Sequence, residues 1–347
     1  MAVAEQPSTT GNVAKIEKKI QGESLWSDSW RRLRRNRLAL MGGIIIIGAV
    51  LIAIFASLIA PFPYDKQTLS DANSAPMWVI NLFPTMKAQG EPGGYVKVSD
   101  LYFLGADNLG RDLFSRIIYG SRISLAVAFI GPLFSIVVGM IVGLIAGYTG
   151  GKTDNLLMRA VDLMYAFPTT LFVILLLAIF RGGASEAPQG SFIYTMSLID
   201  RQMGGLLFVF IGIGLTSWMG MARLVRGQVL SVREKEYIEA AKSLGARNRS
   251  VVVRHIMPNI LGPIIIAETL TIPTYISYEA FLSFIGLGVN PPTPSWGSMI
   301  SEGAQRITSY PNQALFPAMA LFLVMFAFNF LGDGLRDALD PRMRGSD

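Results

Sequence analysis

Three consecutive residues, Gly151-Lys152-Thr153, read like the end of a phosphate-binding loop, where a lysine and backbone N–H groups cradle phosphates. That loop needs a glycine at position 146, which is Ala146, and a strand before it, where this chain has an apolar helical run. The motif is a decoy, and the chain is expected to bind no nucleotide. A single histidine, His255, and no cysteine leave little from which to build a histidine- or thiolate-ligated metal site, a disulfide or a Ser-His relay. No catalytic residue, metal site or cofactor of its own is assigned to the chain.

Ionisable residues inside apolar stretches are the next candidates, because each costs at least about 2.5–3.5 kcal/mol at the bilayer centre. Arg159 and Asp162 stand three apart on one helical face and are expected to form a structural ion pair. Glu268 and Glu279 are eleven apart, three helical turns, so they share a face that meets either a polar pathway or a packed helix. Beyond Glu279, the run Gly286–Gly297 holds three prolines and Trp296, and is expected to be non-helical backbone shielded by protein. Glu268, Glu279 and Trp296 are the candidates for a translocation pathway and its gate. For the two acids, packing is the competing reading.

The segment 226–258 is polar but patterned. Tyr237, Ala240, Ala241 and Leu244 recur at helical spacing and give a short helix a narrow apolar face. Gly245 follows where a helix end needs a residue able to take positive φ. A second short helix then runs to Pro258, which starts the next apolar span. Alanines lose little side-chain entropy on docking, so this face suits insertion into a partner's groove. The plainer alternative is an amphipathic connector lying on a membrane.

These residues need elements to position them, and composition says which. The chain has 347 residues, of which only 16% are charged, and a mean hydropathy of +0.44. Soluble domains carry about 25% charged residues, so a water-facing globular enzyme is excluded. Apolar runs at 38–60, 122–148, 154–180, 204–224, 259–284 and 313–332 each approach or exceed the ~20 residues that span hydrocarbon as a helix. The first is preceded by 37 residues and is too long for a signal-peptide core, so it reads as a permanent anchor. Gly139, Gly143, Gly147 and Gly151 recur every fourth residue, which predicts a groove for close helix approach.

Basic residues orient the spans. With the N-terminus inside, 21 of the 30 Lys and Arg fall on the cytoplasmic side, and six of the other nine share one long loop. The positive-inside rule therefore puts both termini in the cytoplasm. Because these charges flank spans and form no single stripe, nucleic acid is set aside as a partner despite the net charge of +6. Residues 1–37 form a cytoplasmic segment, its first 22 polar and expected to be disordered, its end carrying Trp26, Trp30 and Leu33 beside five arginines as an interfacial helix on anionic lipid would. Residues 61–121 form an extracytoplasmic segment expected to fold over the outer mouth. A five-helix core over 122–335 and a cytoplasmic tail, 336–347, complete the all-α, six-span plan.

Here a resemblance becomes specific. Glu239-Ala240-Ala241, three residues, Gly245, then Ile256-Met257-Pro258 resembles the EAA loop of ABC-importer permeases, with Met257 where that family usually has leucine. Four further stretches resemble the C-type permease subunit of oligopeptide and dipeptide importers: LGADNLGRDLFSRIIYGSRISL (104–125), MRAVDLMYAFP (158–168), EAFLSFIGLGVNPPTPSWG (279–297) and NFLGDGLRDALDPR (329–342). The resemblance covers nearly all of residues 25–342. The stretch 73–103 matches no motif.

The resemblance implies a type I importer permease fold and a non-enzymatic subunit of a bacterial or archaeal cell membrane. It makes Tyr237, Glu239, Ala240, Ala241, Leu244 and Gly245 an ATPase-coupling site. Implied partners are a second, homologous permease, two ATPases that hold ATP and Mg, and an extracytoplasmic solute-binding protein. Peptides are the implied cargo, with nickel complexes or oligosaccharides as alternatives inside the same group. An ion-coupled secondary transporter is the rival class, supported only by the Glu268/Glu279 face. An intramembrane hydrolase fails, since His255 lies at a span boundary and not opposite a buried serine.

Overall fold

A computed structural model describes residues 25–182 and 187–339, and the expectations for 1–22 and for the tail from 340 fall outside them. The described residues are helical, with only isolated β-bridges such as Ala75 to Val98. Helices α1 (Leu25–Arg35) and α2 (Arg37–Ile54) meet at Asn36, whose side chain accepts the Leu38 and Ala39 N–H groups at 3.1 Å and so caps α2. Pro61 and Pro63 end this helical stretch. The segment that follows carries the short α3 (Met77–Leu82) before α4 (Leu113–Thr149), which Asp112 caps through the Ser115 N–H at 2.8 Å.

At 37 residues, α4 is about 55 Å long and outreaches a ~30 Å hydrocarbon core. It begins nine residues before the apolar run, because Arg116 and Arg122 interrupt hydrophobicity without interrupting the helix. Gly150 and Gly151, at φ +67° and +59°, reverse the chain into α5 (Gly151–Ala166).

The run 154–180 is not one straight span. Helix α5 and helix α6 (Thr169–Gly182) are bent 78° apart at Phe167-Pro168. Proline has no N–H to give and disfavours helical backbone in the residue before it, and Phe167 is accordingly extended (φ −91°, ψ 128°). Five described helices are therefore long and apolar enough to cross a membrane, and six only if this bent pair is counted as one span.

After α7 (Phe192–Gln202), which no apolar run announces, come α8 (Leu207–Arg233) and α9 (Glu236–Ser243). The expected second short helix is not separate: a turn at Asn248–Ser250 and a π-helical stretch, Val251–Ile256, run straight into α10 (Met257–Phe284). Helix α11 (Trp296–Ala304) opens on a capping box between Ser295 and Ser298, and α12 (Asn312–Leu339) closes the fold.

The tightest pairing joins α4 to α8. A Cβ on Gly139 would meet Met221 at 2.6 Å, on Gly143 Val225 at 2.6 Å, and on Gly147 Val229 at 2.8 Å, so glycines and large residues interlock every fourth position. Gly151, the fourth glycine of the series, has open space around it and serves the turn. Around this pair, α2, α10 and α12 share a core of Ile46, Leu125, Ile276, Val324 and Phe328 with Trp296. Large apolar side chains such as Ile44, Ile47 and Phe322 point outward, a surface that only lipid or another apolar partner covers.

The described chain ends, α1 and the close of α12, meet at the same end of the bundle as α9, with Leu33 against Gly334. The opposite end is capped by part of the 61–112 segment. There Ala75, Val79, Ile80, Met86 and Val96 form a small core against Tyr310 and Phe316.

Candidate functional site

Helix α9 buries one residue, Ile238, and is otherwise exposed but for half-buried Ala241. Ile238 is 0% exposed and packs with Val251, Ile256 and Val229. On the other side Tyr237, Glu239 and Ala240 are exposed, Ala241 is half-buried, and Leu244 is 89% exposed. A leucine so bare at a helix end is what a partner would cover.

The turn after α9 is specified locally. Gly245 takes φ +83°, its N–H donates to the Lys242 carbonyl at 2.9 Å, and the Ala246 N–H donates to the Ala241 carbonyl at 3.1 Å. This paired closure satisfies helix-end carbonyls and requires the left-handed residue that glycine supplies.

Below α9, Arg233 Nη1 donates to the carbonyls of Gly147 and Tyr148 at 3.1 Å each, and Tyr148 Oη donates to Asn248 Oδ1 at 2.8 Å. Arg226 grips Asp154 with two bonds, at 2.5 and 2.6 Å. Arg226 and Arg233 thus tie α8 to α5 and to the end of α4, and Tyr148 ties α4 to Asn248 in the turn beyond α9.

The two buried acids do share a face of α10, and that face meets α4. Glu268 accepts from Ser135 Oγ at 3.0 Å, and Glu279 accepts from Ser124 Oγ at 3.3 Å. The serines are eleven apart on α4 just as the acids are on α10, which is how two antiparallel helices keep step. Their surroundings differ. Glu279, 1% exposed, is enclosed: Ser283 Oγ donates to it at 2.7 Å, and Ser295 stands behind Ser283 at 3.3 Å. Glu268 lines a cavity.

Trp296 is buried, its Nε1–H on the Ile117 carbonyl at 3.0 Å. The expected non-helical run, Gly286–Gly297, is non-helical only as far as Ser295, because Trp296 and Gly297 open α11; Trp296 ties it to α4, and Glu279 ties it to α10 through Ser283 and Ser295. In this arrangement both residues hold the loop in place. The Arg159/Asp162 pair is corrected. Asp162 accepts from Arg223 on α8, whose guanidinium also covers the Tyr165 ring at 4.2 Å, while Arg159 is exposed. Packing of α5 beside α8 offers a better-placed donor than the neighbour one turn away.

One charged cluster had no forecast. Asp107 accepts from Arg111 Nε at 2.6 Å and from Arg116 Nη1, and both arginines reach Glu302 on α11, at 2.8 and 2.9 Å. The spacing of Asp107, Arg111 and Arg116 was visible; Glu302, 186 residues beyond Arg116, was not. Beside it, burial raises the Asp112 carboxyl above the ordinary aspartate range, and its bonds from Ser115 act the other way. Arg181 likewise ties Gly205, Leu287 and Gly288 together through their carbonyls.

A family model described as binding-protein-dependent transport system inner membrane component matches residues 139–345, and one described as the N-terminal TM domain of oligopeptide transport permease C matches residues 24–76. The oligopeptide transport system permease protein OppC of Bacillus subtilis is 38% identical over 337 residues, covering 97% of this chain and 95% of that protein. OppC of Escherichia coli K12 is 39% identical over 325 residues, 94% of each chain. The dipeptide transport system permease protein DppC of B. subtilis is 37% identical over 323 residues, 92% of this chain and 87% of that one. Among solved structures, an inward-facing MetNI methionine ABC transporter chain matches with TM-score 0.51 and 19% identity, over 66% of this chain and 98% of that chain, a likeness of fold.

Proposed function

The chain belongs to the family of binding-protein-dependent transport system inner membrane components, and from that membership we propose that it is the permease subunit through which an ABC importer carries peptides across the cell membrane. The observation that carries the cargo is the identity, across nearly the whole chain, to relatives named for oligopeptide and dipeptide transport.

In this reading the end bearing α9 faces the cytoplasm, where 21 of 30 basic residues gather. Tyr237, Glu239, Ala240, Ala241, Leu244 and Gly245 present α9 to an ATPase subunit. ATP and Mg belong to two such subunits, and this chain holds no cofactor. A second, homologous permease supplies the other half of the pore, and an extracytoplasmic binding protein delivers cargo. Closure of the ATPases moves α9 and with it the end of α8, whose Arg226–Asp154 and Arg233 tethers pass that motion to α5 and α4, alternating access to the path between the permeases.

The test is reconstitution of the assembled complex in vesicles with a radiolabelled tripeptide, nickel complexes and an oligosaccharide. ATP-dependent uptake of the peptide is the expected result. Uptake of another cargo alone would overturn the peptide assignment and leave the permease role standing.

A further inference from the structure

Midway along the bundle, α4, α8 and α10 surround a cavity of ≈ 230 Å³ lined by Ser135, Ser217, Leu224, Glu268, Thr271 and Tyr275, among others. A water occupies about 30 Å³ of liquid, so the space suits several waters or one terminal residue of a peptide. Glu268 is 4% exposed and accepts from Tyr275 Oη at 2.8 Å and from Ser135 Oγ at 3.0 Å. A carboxylate offers about four lone-pair positions, and these bonds fill two. Among the described residues no lysine or arginine pairs with it.

The cavity opens sideways between α8 and α10, where Gly220 is exposed and Ala267 and Thr271 are half-buried. An acid-lined opening is not stable against hydrocarbon, because ionisable groups at membrane depth face protein or a water-filled path. This flank therefore belongs to the route or to the subunit beside it. An acid with no basic partner, four hydroxyls and room for a small group together complement a primary ammonium, which brings one positive charge and three N–H donors. Glu279, in its closed shell of serines, offers no such room.

We propose that the Glu268 cavity receives the α-ammonium group of the peptide in transit, so that this permease itself favours cargo with a free amino terminus. The proposal rests on the peptide reading above.

Two measurements on the complete complex test it. In vesicles, Glu268→Gln is expected to lower uptake of a free-amine tripeptide, relative to that of the N-acetylated tripeptide, about tenfold or more against wild type. In the second, wild-type complex turning over with the tripeptide is treated with a hydrophobic carbodiimide. The reagent takes up water as its urea while the Glu268 carboxyl and the peptide amine join as an amide. Mass spectrometry should find that adduct at Glu268 with the free-amine peptide and not with the acetylated one. Wild-type uptake by a folded Glu268→Gln complex would overturn the proposal. Should the variant fail to assemble, adducts at other acids with none at Glu268 would overturn it instead. Wild-type complex that carries no peptide of either kind removes the peptide reading itself, a distinguishable failure.

Discussion

Gly143 and Val225 stand so close that a Cβ on the glycine would lie 2.6 Å from the Cβ of the valine. The Ala222 carbonyl is 2.7 Å from the same point, and backbone cannot step aside as a side-chain tip can. Gly143→Ala is therefore expected to destabilise the protein by about 1–3 kcal/mol through overpacking, and Gly143→Leu to prevent folding. Gly262, around which nothing lies within 4 Å, supplies the control: Gly262→Ala should cost nothing. Thermal unfolding of the purified variants in one detergent checks both. Equal melting temperatures for Gly143→Ala and wild type would show that α4 and α8 pack more loosely than this.

The glycine repeat was legible because its meaning is local: small residues every fourth position mark one stripe of one helix. Gly245 was legible for the same reason, since its neighbours alone demand positive φ. The spans were legible from apolar length. Their ends were not, because α4 and α8 continue through charged residues where hydrophobicity stops. Pro168 marked the break between α5 and α6, but the apolar total across 154–180 concealed it. Partners were hidden for a different reason. Asp162 and Arg223 are 61 residues apart, and Ser135 and Glu268 are 133 apart, so only the packed bundle decides that they meet.

The cluster at the capped end should be sensitive to losing one member. Arg116 is 2% exposed and neutralises Asp107 and Glu302 together. Arg116→Met leaves buried Asp107 with Arg111 as its one remaining cation, a loss expected to cost about 1–3 kcal/mol. Glu302, whose side chain is 37% exposed, can be rehydrated, so Glu302→Gln should be clearly milder. Protease resistance of the two variants in membranes would rank them, and the reverse order would assign the cluster's stability to Glu302.

Sidedness has a direct check, because the chain has no cysteine to interfere. Lys242 on α9 and Lys87 at the capped end are both exposed. An impermeant thiol reagent added to intact cells should label Lys87→Cys and spare Lys242→Cys until the membrane is opened. The opposite pattern would invert the molecule and take α9 away from any cytoplasmic ATPase.

The sharpest test separates docking from folding on α9. Leu244 is almost fully exposed and Gly245 has open space around it, so neither supports the core. Leu244→Asp should leave thermal stability within about 0.5 kcal/mol of wild type yet weaken ATPase association, because it puts an unpaired charge into an interface that a leucine should fill. Gly245→Val acts on the backbone alone: φ +83° is a conformation that β-branched residues rarely adopt, so the turn must rebuild and α9 must tilt. Gly245→Asn, which tolerates that backbone better, should recover part of the function, as a purely steric role would not predict. Co-purification of the ATPase and cargo-stimulated ATP hydrolysis are the readouts, with abundance in the membrane as control. If Leu244→Asp and Gly245→Val both keep wild-type coupling, α9 is only a connector, and the exposed face it presents has another purpose.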